Sequence, residues 1–151
     1  MAHPFKGTPS LPFSTGSGYI PAPPAEDSLE ALANLAEPRK HYKWYYSTAA
    51  AAPEMGGEGL HEFLRGYCYL KSADWKGNDP HPLKAWEASE LAQLPYYYVM
   101  PLQGGMRDAV HQAIIDSKAE ILSSRYDRWL PDSELAVYVD SWKRNGFQGG
   151  M

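Results

Sequence analysis

Eleven tyrosines, five histidines and a single cysteine are the residues of this 151-residue sequence whose side chains could do chemistry. The tyrosines are not scattered. Tyr42, Tyr45 and Tyr46 flank Trp44, and Tyr96, Tyr97 and Tyr98 are consecutive. A phenol, with an ordinary pKa near ~10, donates a hydrogen bond and can act as a general acid. Donors set where negative charge develops on an oxygen lower the barrier of the step that develops it. The plainer reading of Tyr96–Tyr98 is a packed aromatic ladder. Cys68 falls within a helical pattern and reads as a small packed residue rather than a nucleophile. Asp74, between Ala73 and Trp75, reads as a turn cap rather than a nucleophile.

The complete motifs of common enzyme classes are missing. No G-x-S-x-G nucleophile elbow occurs, since Gly16-Ser17-Gly18 lacks the second spacing. His61-Glu62 opens an H-E-x-x-H zinc motif, but position 65 is Arg. Gly57 and Gly59 open a G-x-G-x-x-G pattern, but position 62 is Glu. The histidines stand alone at positions 3, 41, 61, 81 and 111, so neither a metal site nor a cofactor is expected. A formal net charge of −4 argues against a nucleic-acid binder, which usually carries a basic face. No run approaches the eighteen or so apolar residues of a membrane span. One cysteine excludes an internal disulfide and points to a reducing compartment. Residues 1–18 lack the charged-then-apolar build of a signal peptide, so a cytoplasmic location is expected.

These side chains must be positioned by helices. Pro4, Pro9, Pro12, Pro21, Pro23 and Pro24 forbid regular helix in residues 1–26, which read as an extended Pro/Gly-rich arm. Residues 27–151 read as one helical domain. Asp27 or Ser28 caps a first helix with Leu29, Leu32 and Leu35 on one side, and Pro38 ends it. The aromatic cluster at 39–47 and an Ala-rich linker follow. From about Gly59 to Leu70, the residues Leu60, Phe63, Leu64 and Tyr67 keep the spacing of one helix face. Residues 72–78 are turn chemistry. A short helix covers 89–94, and 96–100 has strand-like composition with no obvious pairing partner. A further helix runs over 106–124, with Val110, Ile114 and Ile121 as its apolar positions. The last opens at Pro131, places Leu135, Tyr138, Val139 and Trp142 on one face, and stops at Gly146. The sum predicts an all-α fold of short irregular helices without a sheet. Gln-Gly-Gly-Met recurs at 103–106 and 148–151, but the flanks differ and the echo reads as chance.

Beyond composition and spacing, an ordered set of segments resembles the helical cap of epoxide-hydrolase-like α/β-hydrolases. Lys40-His41-Tyr42-Lys43-Trp44-Tyr45-Tyr46-Ser47-Thr48 is similar to the cap's opening helix. Gly59-Leu60-His61-Glu62-Phe63-Leu64-Arg65, Lys71-Ser72-Ala73-Asp74-Trp75 and Leu94-Pro95-Tyr96-Tyr97-Tyr98-Val99-Met100 follow in the family's order. Trp129-Leu130-Pro131-Asp132, Glu134-Leu135 and Gly146-Phe147-Gln148-Gly149-Gly150 complete it. Pro4-Phe5 and Pro9-Ser10-Leu11-Pro12-Phe13 are similar to the stretch leaving the sixth core strand. The resemblance therefore spans nearly the whole chain.

The resemblance implies a function. In that family an aspartate on a nucleophile elbow attacks an epoxide carbon, and a histidine with an acidic partner activates water against the ester. Two cap tyrosines donate hydrogen bonds to the epoxide oxygen as it becomes an alkoxide. Tyr42 matches the first of them. The second lies just beyond the closing Gly-Gly, past Met151, while the nucleophile lies before the cap and the histidine after it. The resemblance thus implies a cap inactive alone, with Tyr45, Tyr46, Tyr97 and Tyr98 lining the path of a small apolar substrate. Tyr42 is expected to face a concave apolar surface with Tyr96–Tyr98, its hydroxyl free. An isolated cap should also expose an apolar face, suited to an α/β-hydrolase core chain or to a second copy of itself. Two other readings stand beside this one: a retained cap serving as an apolar-ligand or protein-interaction module, and a new helical enzyme built on Tyr and His.

Overall fold

Residues 25–117 and 128–150 are described by the structure, a computed structural model. Three residues of the aromatic cluster's leading edge, Arg39–His41, form a strand, β1. It pairs antiparallel with β2, Val99–Pro101, so that Lys40 sits opposite Met100 and His41 opposite Val99. The expectation of no sheet is thereby corrected. Of the strand-like stretch 96–100 only Val99 and Met100 lie in β2, residues 96–98 forming a turn, and the strand's partner lies far earlier in the chain, in a charged triplet with no alternating pattern. Successive side chains of a strand point to opposite faces. Val99 accordingly packs with Leu32 and Leu91 in a small cluster, while Met100 enters the main core.

Helices make up most of the rest. α1 (Ala25–Ala33) contributes Leu32, which is fully buried, and ends before Pro38 is reached. The arm expected over 1–26 lies outside the described residues except for its last two, which open α1. α2 (Tyr42–Tyr46) follows β1 without a break, and α3 is Ala51–Met55. α4 (Leu60–Leu70) begins at Gly59, whose φ of 74° is left-handed, and buries Leu60, Phe63, Leu64 and Leu70. α5 (Ala88–Leu91) is one turn. α6 (Met106–Asp116) buries Met106, Ala109, Val110 and Ala113. The remainder of the helix expected to 124, with Ile121, falls outside the described residues. Among the described residues no helix is long and apolar enough to cross a membrane.

α4 and α6 cross at Gly66. A Cβ there would stand 2.7 Å from Ile114 Cδ1 and 3.0 Å from Val110 Cγ1, so the glycine is what permits the approach. α7 (Asp132–Asn145) opens after Pro131, carries Asp132 and Glu134 in its first turn and Lys143 and Arg144 in its last, matching the helix dipole. Asp132 also pairs with Arg65 of α4. Leu135 and Val139 of α7 are buried, and Trp142 stacks on Phe147 at 4.3 Å. Tyr138, expected on that same face, is instead 57% exposed, because the buried stripe of α7 is narrower than its apolar residues suggest.

One carboxylate joins three of these elements. Glu54 of α3 accepts the Tyr45 hydroxyl at 2.8 Å and the backbone N–H of Met106 at 3.1 Å on Oε2, and the N–H of Arg107 at 3.0 Å on Oε1. The two backbone donors are the otherwise unpaired first N–H groups of α6, where a negative charge is favoured. Gly105 makes room, since a Cβ there would lie 2.3 Å from the Glu54 carboxyl carbon. Lys40, buried in β1, donates to Gly104 O at 2.6 Å and sits 5.0 Å from the Tyr45 ring. Hydrogen bonds to a charged group contribute roughly 1.5–3 kcal/mol each. Glu54→Ala is therefore expected to lower unfolding free energy by about 3 kcal/mol, and Glu54→Gln by less, because the amide keeps one acceptor. Urea unfolding of both variants measures this.

Candidate functional site

The β1–β2 pairing is what brings the two tyrosine groups together. The ladder continues one residue past β1, where Tyr42 N–H donates to Tyr98 O at 2.9 Å. His41 caps α2, its Nδ1 accepting the Lys43 N–H at 3.2 Å, and its ring stacks on Tyr42 at 4.8 Å. Burial, and then the neighbouring Lys43 charge, hold the His41 imidazole below its usual pKa, which favours the neutral ring that a Nδ1 acceptor requires. The Tyr42 ring meets Tyr98 edge-on at 5.6 Å and Tyr46 edge-on at 5.4 Å. Three of the expected site residues thus gather: Tyr42, Tyr46 and Tyr98.

Tyr45 and Tyr97 are placed elsewhere. Tyr45 is buried in the main core with its hydroxyl on Glu54, and burial followed by that carboxylate raises its pKa well above the ordinary phenol. Tyr97 is 4% exposed and donates to Asn78 Oδ1 at 2.5 Å. Asn78 in turn ties the 71–78 turn by donating to Leu70 O and Ser72 O. In that turn the Asp74 N–H bonds Ser72 Oγ and Asp74 Oδ2 accepts the Trp129 indole, a bracing role. Among the described residues Tyr42's hydroxyl makes no hydrogen bond, and the residue is half-buried.

Two cavities adjoin this cluster. Tyr42, Tyr46, Ser47, Thr48 and Gln148 wall an open cleft of about 720 Å³. Gln148 belongs to the closing Gly-Phe-Gln-Gly-Gly segment, so that segment returns to Tyr42. The second, of about 350 Å³, is bounded by Tyr46, Met55, Leu64, Tyr67, Trp142 and Phe147 and is largely apolar. Tyr46 is common to both. Outside the cleft, His41 approaches Trp86 at 6.4 Å, and Trp86 is 48% exposed, so an aromatic surface continues from Tyr98 through Tyr42 and His41 to Trp86.

A basic group that composition did not single out lies behind the cluster. The Lys71 ammonium, at the end of α4, stands 4.9 Å from the Tyr67 ring, 4.7 Å from Tyr97 and 5.0 Å from Tyr98. Three ring faces around one cation form an aromatic cage. The Tyr67 half could have been read from the sequence, because 67 and 71 are one helical turn apart. The Tyr97 and Tyr98 half depends on tertiary structure. Burial pushes the Tyr67 phenol up to about 12, with Tyr46 adding to the rise and Lys71 opposing it. Burial likewise raises the Cys68 thiol, which disfavours the thiolate a nucleophile needs.

Among the described residues the histidines share no site: His61 faces Asp132 at 3.4 Å, and His81 Nδ1 lies 2.7 Å from Asp79 O. Among the described residues no three metal-binding side chains gather. Stability should separate the two kinds of tyrosine. Tyr45→Phe removes a hydroxyl bonded to a carboxylate and is expected to cost about 1.5–3 kcal/mol. Tyr42→Phe removes one without a described partner and should fall within about 0.5 kcal/mol of wild type. Parallel urea titrations decide it. No family model, curated protein or solved structure matches this chain.

Proposed function

We propose that this chain serves as the cap of an epoxide-hydrolase-like α/β-hydrolase, in which Tyr42 donates its proton to an epoxide oxygen as the ring opens. The observation that carries the reading is the Tyr42 hydroxyl itself: it has no described hydrogen-bond partner and lines an open cleft with Tyr46 and the closing segment. A phenol whose hydroxyl is kept free at a cleft is a preorganised donor for a developing alkoxide. Tyr46 lines the cleft beside it and Tyr98 packs edge-on against its ring, whereas Tyr45 and Tyr97 support the wall from inside the core. The nucleophile and the water-activating base come from an α/β-hydrolase core, in the same polypeptide or in a partner chain. The aromatic surface through Trp86, His41 and Tyr98 is the face such a core would cover. A cytoplasmic location goes with the reading.

A second reading, an apolar-ligand module, is favoured by one feature: the 350 Å³ apolar cavity is built entirely from this chain's own helices and closing segment. Fold likeness alone would decide neither, because related folds host many chemistries.

Two outcomes follow for activity. The 151 residues alone turn over neither a generic epoxide nor an ester, measured by product formation. Joined to a core that confers turnover, the Tyr42→Phe variant opens epoxides at least ~10-fold more slowly, about 1.4 kcal/mol of transition-state stabilisation, with its folding intact. An unchanged rate in that complex moves Tyr42 out of the site.

A further inference from the structure

The open cleft beside Tyr42 also carries a cation. Lys43 of α2 lines the same space of about 720 Å³. Two other lysines near the tyrosines are committed: Lys40 donates to Gly104 O at 2.6 Å, and Lys71 lies over three tyrosine rings. Lys43 is exposed, and its ammonium makes no ion pair with a carboxylate among the described residues. No described wall residue of the cleft is acidic, in a chain whose acids outnumber its lysines and arginines 18 to 14.

The polar groups of the cleft can be sorted by what they have left to offer. Ser47 Oγ donates to Trp44 O at 2.6 Å and Thr48 Oγ1 to Tyr45 O at 2.7 Å, so both hydroxyl protons are held by the backbone. The Tyr42 hydroxyl and the Gln148 side-chain amide make no hydrogen bond among the described residues. Three donor groups therefore remain open to a ligand: an ammonium, a phenol and an amide. They come from the two ends of the fold. Tyr42 and Lys43 stand side by side on α2, and Gln148 reaches the cleft on the closing segment.

We infer that this cleft is a carboxylate-recognition site, in which Lys43 and Gln148 take the carboxylate of an apolar ligand while Tyr42 takes a second, uncharged oxygen. One unpaired ammonium balances a monoanion, whereas a phosphate dianion would leave a charge uncompensated on an already acidic chain. The ligand's body lies on Tyr46, whose ring lines the cleft and meets that of Tyr42 edge-on at 5.4 Å. The inference deepens the cap reading by naming the substrate class, an epoxide whose apolar body carries one carboxylate. It rests on that reading for the chemistry, not for the binding.

The test uses two probes of nearly equal shape, 3-phenylpropanoate and 3-phenylpropanamide, which differ in charge. Binding to the purified chain at neutral pH and low salt is followed by the methyl resonance of Ala49, a wall residue, assigned with the Ala49→Gly variant. The carboxylate should bind roughly fivefold more tightly than the amide, the upper end for an exposed ion pair, and added salt should shrink the preference. Lys43→Met should make the two affinities equal, and Lys43→Arg, which keeps the charge, should retain the preference. Gln148→Glu, which sets a like charge beside the carboxylate, should weaken 3-phenylpropanoate binding more than amide binding. Equal affinities in the wild type, a preference that survives Lys43→Met, or no response of Ala49 to either probe overturns the inference. If the preference follows Lys43 but Tyr42→Phe leaves epoxide opening unchanged in the core-joined chain, the hydrolase reading falls and the carboxylate site stands. Slowed epoxide opening without a charge preference removes the carboxylate site alone.

Discussion

The Glu54 carboxylate is the constraint on which the other contacts depend. It sits on a single turn of helix, α3, too short to be stable by itself. Its two oxygens nonetheless hold the start of α6 and the Tyr45 hydroxyl of α2. α6 in turn packs across α4 through Gly66, and α4 carries Tyr67 and Lys71. Each element of the tyrosine cluster is therefore tied back to one charged group and to the glycine, Gly105, that lets the chain pass close to it. Short helices with irregular joints cannot rely on long apolar stripes, and a shared polar anchor serves where packing area is limited.

The same anchor divides the aromatic residues into two kinds. Tyr45 and Tyr97 have their hydroxyls committed, to Glu54 and to Asn78, and both are buried. Tyr42 has a hydroxyl without a described acceptor and lines open space beside Tyr46. Unpaired polar hydrogens are costly when buried and useful when they face a ligand. The cluster thus looks like scaffold on one side and donor surface on the other, joined at the β1–β2 ladder.

How far the residues announced this depends on the range of the interaction. α4 and α7 were legible because their signals are local: the apolar spacing from Leu60 to Tyr67, and Pro131, Asp132, Lys143 and Gly146 at the ends. The β1–β2 pairing was not. A three-residue strand of Arg, Lys and His carries no period, and its register depends on chain segments far apart in sequence. Glu54 was likewise invisible, one acid in an Ala-rich stretch whose role appears only when Gly105 arrives beside it. Tyr42, Tyr45 and Tyr46 were equivalent by composition, and only the tertiary partners of their hydroxyls tell them apart. Lys71 was half-legible, through its helical spacing to Tyr67 and not through Tyr97 and Tyr98.

The claim at the centre of the account is that the Tyr42 hydroxyl is a donor awaiting an oxygen. A crystal structure of the chain soaked with benzophenone addresses it directly. The account places the ketone oxygen at about 2.6–3.2 Å from the Tyr42 hydroxyl, with one phenyl ring against Tyr46 in the cleft. A ketone bound with its oxygen in solvent, or the Tyr42 hydroxyl turned to a protein acceptor in the bound state, would contradict it.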